Sequence, residues 1–285
     1  MIRLIASDLD GTLLTQFGRV SEYTAQTIKE IQEKDVRFVV CTGREYYSAN
    51  MIVGASGVAC DYICNSGATW VDEQGTVIHN VSMQPDMVRT VWDLLMEEHM
   101  LTQIVTDGGQ AVPQNRAEVT EYLKNILFPA LSKASGMDYG HDLDRFLAGY
   151  LTEYPMERIF SGAAPAYKIM TVSMDREQMA RVRAKLADLP LSVVSTSPIN
   201  LEISGLEARK GIAVQSYAQR FGISPEEILV LGDSENDINM FEVPFAHRIA
   251  MGNADQIIKD RATFITKTNR EDGAAYAMRR FVLEG

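Results

Sequence analysis

Hydrophobic positions along the chain follow two kinds of pattern. Towards both ends they form short unbroken runs. Ile2–Ser7, mostly apolar, reads as a strand buried on both faces, Arg37–Thr42 as the next strand, Asp61–Cys64 as a third strand candidate and Ile228–Gly232 as another buried strand. Between these runs, apolar residues recur at helical spacing. Ser21 is placed to cap a helix running to about Lys34, with Ile28 and Ile31 on one face, and another helix is expected after Gly43. Asn65-Ser66-Gly67 closes the third run. Ser224-Pro225-Glu226-Glu227 has the order of a compact helix start, with a cap, a Pro at the first position and a Glu at the third. Repeated strand–helix units imply an α/β fold built on a doubly wound parallel sheet.

The middle of the chain departs from this pattern. Met87, Val91 and Leu94–Leu95 suit an amphipathic helix. Leu101–Thr106 and Gln110–Pro113 flank Asp107-Gly108-Gly109, a hairpin signal. Tyr167–Met174 reads as a strand, and Arg176–Leu189 as a helix with Met179, Val182 and Leu186 on one face. Ser192–Ser195 and Asn200–Ile203 flank a Pro-containing turn. Hairpins mixed with helices suggest an inserted α+β domain with its own small sheet, at roughly 84–204. The core is then split into 1–83 and 205–285. No internal repeat or low-complexity segment interrupts this scheme.

Composition narrows the function. The chain has 285 residues, 46% hydrophobic and 23% charged, as an ordinary folded protein does. At this length single cores begin to divide, so one large or two smaller domains are expected. The net charge is −11 and no Lys/Arg run is present, which argues against nucleic acid as a partner. The chain reaches Asp8 before any long apolar stretch, so no secretory signal is expected. No run approaches the roughly 18 apolar residues of a membrane span. Cys41, Cys60 and Cys64 are odd in number and form no C-x-x-C pair. Neither a disulfide framework nor a zinc site is expected, and the cytoplasm is the expected location. The pattern leaves the oligomeric state open, between monomer and weak dimer.

Four short motifs carry the candidate chemistry. Ser7-Asp8-Leu9-Asp10-Gly11-Thr12-Leu13-Leu14 follows the first strand, where open α/β sheets bind ligands. Taken alone it reads equally well as a strand-end turn. Gly232-Asp233-Ser234-Glu235-Asn236-Asp237 follows another strand. A helix starting near Ser234 would turn Asp237 towards the pocket of Asp233, although acids also serve as helix caps. Thr42-Gly43-Arg44 offers a hydroxyl and backbone N–H groups to a phosphate, or merely a cap. Lys210 opens an expected helix, where the macrodipole disfavours a cation; the plain alternative is an exposed lysine. If Asp8, Asp10, Asp233 and Asp237 converge, their repulsion calls for a cation. All-oxygen ligands point to Mg²⁺ before Zn²⁺. The histidines at 79, 99, 141 and 247 are scattered and read as structural or surface groups.

In this order and spacing, the D-x-D-G-T-L-L, T-G-R, Lys-Gly and G-D-x-x-N-D blocks resemble the haloacid dehalogenase superfamily of phosphohydrolases. The resemblance is closest to its Cof-type branch, class IIB, whose α+β cap is inserted between the second and third motifs. Ala250-Met251-Gly252-Asn253-Ala254 and Glu271-Asp272-Gly273-Ala274 are further pieces similar to that family. Two departures stand out. Asn65-Ser66-Gly67 replaces the family's frequent Ser-Asn-Gly, and Ala208-Arg209 precedes Lys210 where an apolar and a small hydroxyl residue are more usual.

The resemblance implies a Rossmann-like core and a set of roles. Asp8 would be the nucleophile that becomes an aspartyl-phosphate, and Asp10 the general acid and then base. The metal would take the Asp8 carboxylate, the Asp10 backbone carbonyl and the Asp233 carboxylate, with Asp237 holding a metal-bound water. Leu9, Thr42, Gly43, Lys210 and Asn236 would contact the substrate phosphate. The insert would act as a substrate-selecting cap, in which Asn115, Arg116, Tyr154 and Lys168 are candidates, although a surface role is the simpler reading of each. The implied function is a Mg²⁺-dependent phosphatase acting on a small phosphorylated metabolite, often a sugar phosphate. Two alternatives stand beside it: a phosphotransferase of the phosphomutase kind, and a non-enzymatic phospho-acceptor or binding protein.

Overall fold

The structure is a computed structural model. It describes residues 1–107, 109–111, 117, 120–121, 123–129, 132, 151–152, 155–195 and 199–284. The chain divides into two compact units: Met1–Val81 with Glu207–Gly285, and Ser82–Leu206.

In chain order, the strands of the first segment are β1 (Leu4–Ser7), β2 (Arg37–Cys41), β3 (Asp61–Cys64), β4 (Thr69–Val71) and β5 (Val77–Asn80). The second unit holds β6 (Leu101–Thr106), β7 (Gly109–Ala111), β8 (Leu151–Thr152), β9 (Lys168–Val172), β10 (Leu191–Val194) and β11 (Asn200–Gly205). The chain then returns to the first unit with β12 (Ile228–Gly232), β13 (His247–Ala250) and β14 (Phe264–Ile265). The helices used below are α1 (Glu22–Gln32), α2 (Tyr46–Gly54), α3 (Pro85–Glu97), α4 (Met156–Phe160), α5 (Arg176–Leu186), α6 (Lys210–Arg220), α7 (Ile238–Glu242), α8 (Gln256–Lys259) and α9 (Gly273–Met278).

Among the described residues the first unit is built on one sheet, ordered β14-β13-β12-β1-β2-β3-β4-β5. The pairings from β14 to β3 are parallel; β4 and β5 add an antiparallel hairpin at one edge. Every residue of β1 and β12 is buried, as central strands covered on both faces must be. Leu4, Ile5, Val39, Val40, Ile63, Leu229 and Leu231 lie in one continuous core with Ile28 and Ile31 of α1. The Ser21 hydroxyl caps α1 by accepting from the Thr24 amide at 3.0 Å. The edge hairpin β4–β5 is absent from the hydrophobic pattern, because β5 is almost wholly exposed. The Ser224 helix start yields only one capped turn before β12 begins.

The second unit contains a separate sheet, ordered β10-β11-β9-β6-β7-β8 among the described residues. Its pairings are antiparallel except β7 with β8. Helices α3 and α5 bury Val88, Val91, Leu95, Met179, Val182 and Leu186 against Ile104, Ile169, Leu201 and Ile203 of the sheet. Asp175 caps α5 through the amides of Glu177 and Gln178, and the helix stops at Leu186, short of the expected Leu189. The expected second hairpin strand, Gln110–Pro113, is described only as far as Ala111.

Candidate active site

Strand register assembles the site. Ser7 of β1 pairs with Leu231 of β12 on one side and Val40 of β2 on the other. Asp8, Asp233 and Thr42 therefore leave the sheet at the same carboxyl edge. Successive strands are added outwards in both directions from β1, and such a point is where open α/β sheets bind their ligands. The chain turns sharply after Asp8 because Gly11 adopts a φ of 78°. A Cβ at Gly11 would overlap the Asp233 carboxylate, so this turn lies directly on Asp233. Thr12 Oγ1 donates to Asp233 Oδ1 at 2.8 Å.

Lys210 is the centre of the arrangement. Its helix, α6, packs so closely on α7 that a Cβ at Gly211 would overlap the Asn239 carbonyl. The fully buried Lys210 Nζ donates to Asp8 Oδ1 at 2.6 Å and to Asp237 Oδ1 at 2.7 Å. Asp237 Oδ2 accepts from the amides of Asp233 at 2.9 Å and Ser234 at 3.2 Å. Both oxygens of Asp237 are thus engaged. Among the described residues, Asp8 Oδ2 and Asp233 Oδ2 carry no hydrogen bond.

The electrostatics follow from this packing. Asp8, Asp233 and Asp237 each place a carboxylate oxygen within 4.8 Å of the others, against one lysine. Burial, and then Asp237, push the Asp8 carboxyl well above its ordinary range; Lys210 opposes the shift. Burial and Asp237 also push Asp233 up to about 7, against the pull of the Thr12 hydrogen bond and Lys210. Burial alone would lower Lys210, but Asp237 and Asp8 outweigh it and hold the ammonium well above its usual value. The oxygen-only donor set and the surplus negative charge of the cluster fit a hard divalent cation. Asp237, occupied by Lys210 and two amides, shapes the loop beneath it.

Asp10 is placed differently. Arg44 holds both of its carboxylate oxygens, from Nε at 2.7 Å and from Nη2 at 2.6 Å, and donates from Nη1 to Ser48 Oγ at 3.1 Å. The Asp10 carboxylate is half-exposed and lies outside the acidic cluster. Thr42 is buried, and its hydroxyl accepts from the Arg44 amide at 3.1 Å. Helix α2 begins at Tyr46, so Gly43 precedes the helix rather than opening it. Asn236 Oδ1 accepts from Ser234 Oγ at 2.9 Å. The Leu9 side chain is fully buried, which leaves only its backbone for a substrate.

Motif reading did not assign Arg44 or Thr12 a task, although both stand inside quoted motifs. Their roles depend on contacts 34 and 221 residues away. Of the histidines, His79 stacks on Trp70 and His247 on Phe281, and His99 takes a positive φ just after α3. His141 lies outside the described residues, as do Asn115, Arg116 and Tyr154. Lys168 is buried in the second unit and bonded to Glu202 Oε2 at 2.9 Å. The three cysteines are buried and form no disulfide among the described residues, and burial pushes the Cys60 thiol up to about 12.

Residues 5–278 match the pattern of the haloacid dehalogenase-like hydrolases. The chain belongs to that family. This haloacid dehalogenase-like hydrolase is 27% identical over 285 residues to the 5-amino-6-(5-phospho-D-ribitylamino)uracil phosphatase YwtE of Bacillus subtilis (strain 168), covering 96% of each chain. A solved haloacid dehalogenase-like hydrolase from B. subtilis superposes with a TM-score of 0.83 at 26% identity, over 98% of this chain and 100% of the other. The subclass IIB sugar phosphatase BT4131 shares the fold, with a TM-score of 0.75, 20% identity and 98% coverage of both chains. By this kinship the haloacid dehalogenase-like hydrolase is an enzyme of the phosphatase kind.

Proposed function

We propose that this chain is a Mg²⁺-dependent phosphatase that hydrolyses a small phosphorylated metabolite through an aspartyl-phosphate on Asp8. One observation supports this reading above the others. Lys210 fixes one oxygen of Asp8 and leaves the second without a hydrogen bond among the described residues. A carboxylate held in this way is oriented and has an oxygen available for attack at phosphorus.

The Asp8 carboxylate attacks phosphorus and the bond to the leaving alcohol breaks. Asp10 supplies a proton to that alcohol and then accepts one from the water that attacks phosphorus as the Asp8–phosphate bond breaks, which releases phosphate and restores the carboxylate. Arg44 engages both Asp10 oxygens, so it must release at least one before that transfer. Lys210, the Thr42 hydroxyl and the Gly43 amide hold the non-bridging oxygens, and Asn236 assists. A bound Mg²⁺, taken by Asp8 and Asp233 with the Asp10 backbone carbonyl, supplies positive charge that offsets the carboxylates and the phosphate. The second unit carries the recognition of the leaving group and is the cap.

The substrate class is a small metabolite bearing a phosphate monoester. One relative is named for a phosphoribityl-aminouracil and a structural neighbour for sugar phosphates, and both names describe small polyhydroxylated monoesters. The decisive assay is phosphate release across a panel of such esters. Multiple turnovers on at least one ester, dependent on Mg²⁺, are expected. Return of the phosphate to a sugar instead of its release would make the enzyme a phosphotransferase. A single phosphorylation without turnover would make it an acceptor protein.

A further inference from the structure

The Ala250–Ala254 motif has no part in the chemistry above, yet it joins the two loops that carry the candidate metal ligands. Asn253 Nδ2 donates to the Gly11 carbonyl at 2.9 Å. Two residues on, the Asp255 amide donates to the Asp233 carbonyl at 2.8 Å. Thr12 Oγ1, beside Gly11, donates to Asp233 Oδ1 at 2.8 Å. These three bonds close a ring through Gly11–Thr12, Asp233 and Asn253–Asp255. The Asn253 side chain is itself held from behind, because its Oδ1 accepts from the Asn269 amide at 2.9 Å. Asn269 Nδ2 in turn donates to the Leu14 carbonyl, at the far end of the same loop, at 2.9 Å.

Asn253 is exposed and its hydrogen bond to Gly11 is a surface bond. Water can replace such bonds at little cost to folding, so they contribute little to stability. Water cannot hold two backbone segments at a set separation. The ring does so at the point where Asp8 and Asp10 on one loop must meet Asp233 on the other. Groups beyond the ligands that fix ligand geometry commonly change metal affinity more than they change stability.

We infer that Asn253 is a positioning residue for the divalent cation: it touches neither metal nor substrate, and it sets metal affinity by holding the Asp10-Gly11 turn against the Asp233 loop. This inference rests on the proposed metal-dependent reading of the site.

The test is direct titration of Mg²⁺ into the full-length protein by calorimetry, with Mn²⁺ binding followed by electron paramagnetic resonance as a second probe. Asn253→Ala should raise the Kd about tenfold, in the range seen for such supporting groups. Its metal-free melting temperature should move by no more than about 3 °C. Asn253→Ser, too short to reach Gly11, should weaken binding in parallel. Gln256→Ala, a neighbouring exposed change on α8 that reaches neither loop, should leave the Kd within about twofold. In phosphate release, the Mg²⁺ requirement of Asn253→Ala should rise while its kcat at saturating Mg²⁺ is retained. Unchanged metal affinity in folded Asn253→Ala, or an equal loss in Gln256→Ala, would overturn the inference and leave the metal site standing. Failure of the unaltered protein to bind either ion would instead overturn the metal reading, and the inference with it.

Discussion

At the scale of single residues, the site depends on one cation serving two buried acids. Lys210 is fully buried between Asp8 and Asp237. Removing one member of a buried charge set leaves the others uncompensated, at a cost of about 3–5 kcal/mol. Lys210→Met should therefore lose both phosphatase activity and that order of stability, read by denaturant unfolding in the absence of metal. Asp10 invites a different test. If it protonates the leaving group, Asp10→Asn should be severely impaired on an alkyl phosphate and much less so on an aryl phosphate, whose leaving group needs little protonation. An equal deficit on both would remove that role. The identities of Asp8, Asp233, Asp237 and Lys210 were legible in the sequence because each follows a buried strand or opens a helix. The pairing of Asp10 with Arg44 was not. It is a side-chain pairing between part-exposed groups 34 residues apart, and no spacing rule encodes it.

At the scale of elements, strand runs were the most legible part. β1 and β12 are buried throughout, and β2 and β3 after their first residues, Arg37 and Asp61; the sequence shows all four as mostly apolar stretches. The β4–β5 hairpin escaped because β5, Val77–Asn80, lies at the sheet edge and carries no buried residue. Helix ends were less legible than helix existence: α5 ends three residues early, and the Ser224 start gives a single turn. The contact of α6 with α7 was visible only as the glycine after Lys210. It makes a prediction at this scale. Gly211→Ala places a methyl group against the Asn239 carbonyl, so α6 must shift and carry Lys210 with it. The expected result is a loss of about 1–3 kcal/mol, as for other overpacked contacts, together with reduced turnover. Thermal unfolding and phosphate release on the same preparation would show both.

At the scale of the whole molecule, a chain of net charge −11 must bind a phosphate dianion. On the proposed reading a bound cation supplies the positive charge this requires, because three clustered carboxylates face one lysine. Metal binding and protonation therefore compete. Asp233 is pushed up to about 7 in the folded, metal-free protein, above its unfolded value of 3.8. A raised pKa means that its stabilising contribution is present at low pH and is lost as pH rises through about 7. On the proposed reading Mg²⁺ takes the ionised form, so the rise in melting temperature on adding Mg²⁺ should grow from pH 6 to pH 8. A shift independent of pH would speak against Asp233 as a ligand. Among the described residues no helix is long and apolar enough to cross a membrane. The most direct test of the central claim is phosphate release from p-nitrophenyl phosphate, measured for the unaltered protein and for Asp8→Asn, each with Mg²⁺ and with excess chelator. Sustained turnover is predicted only for the unaltered protein with Mg²⁺; sustained release by Asp8→Asn, or by the chelated enzyme, would contradict it.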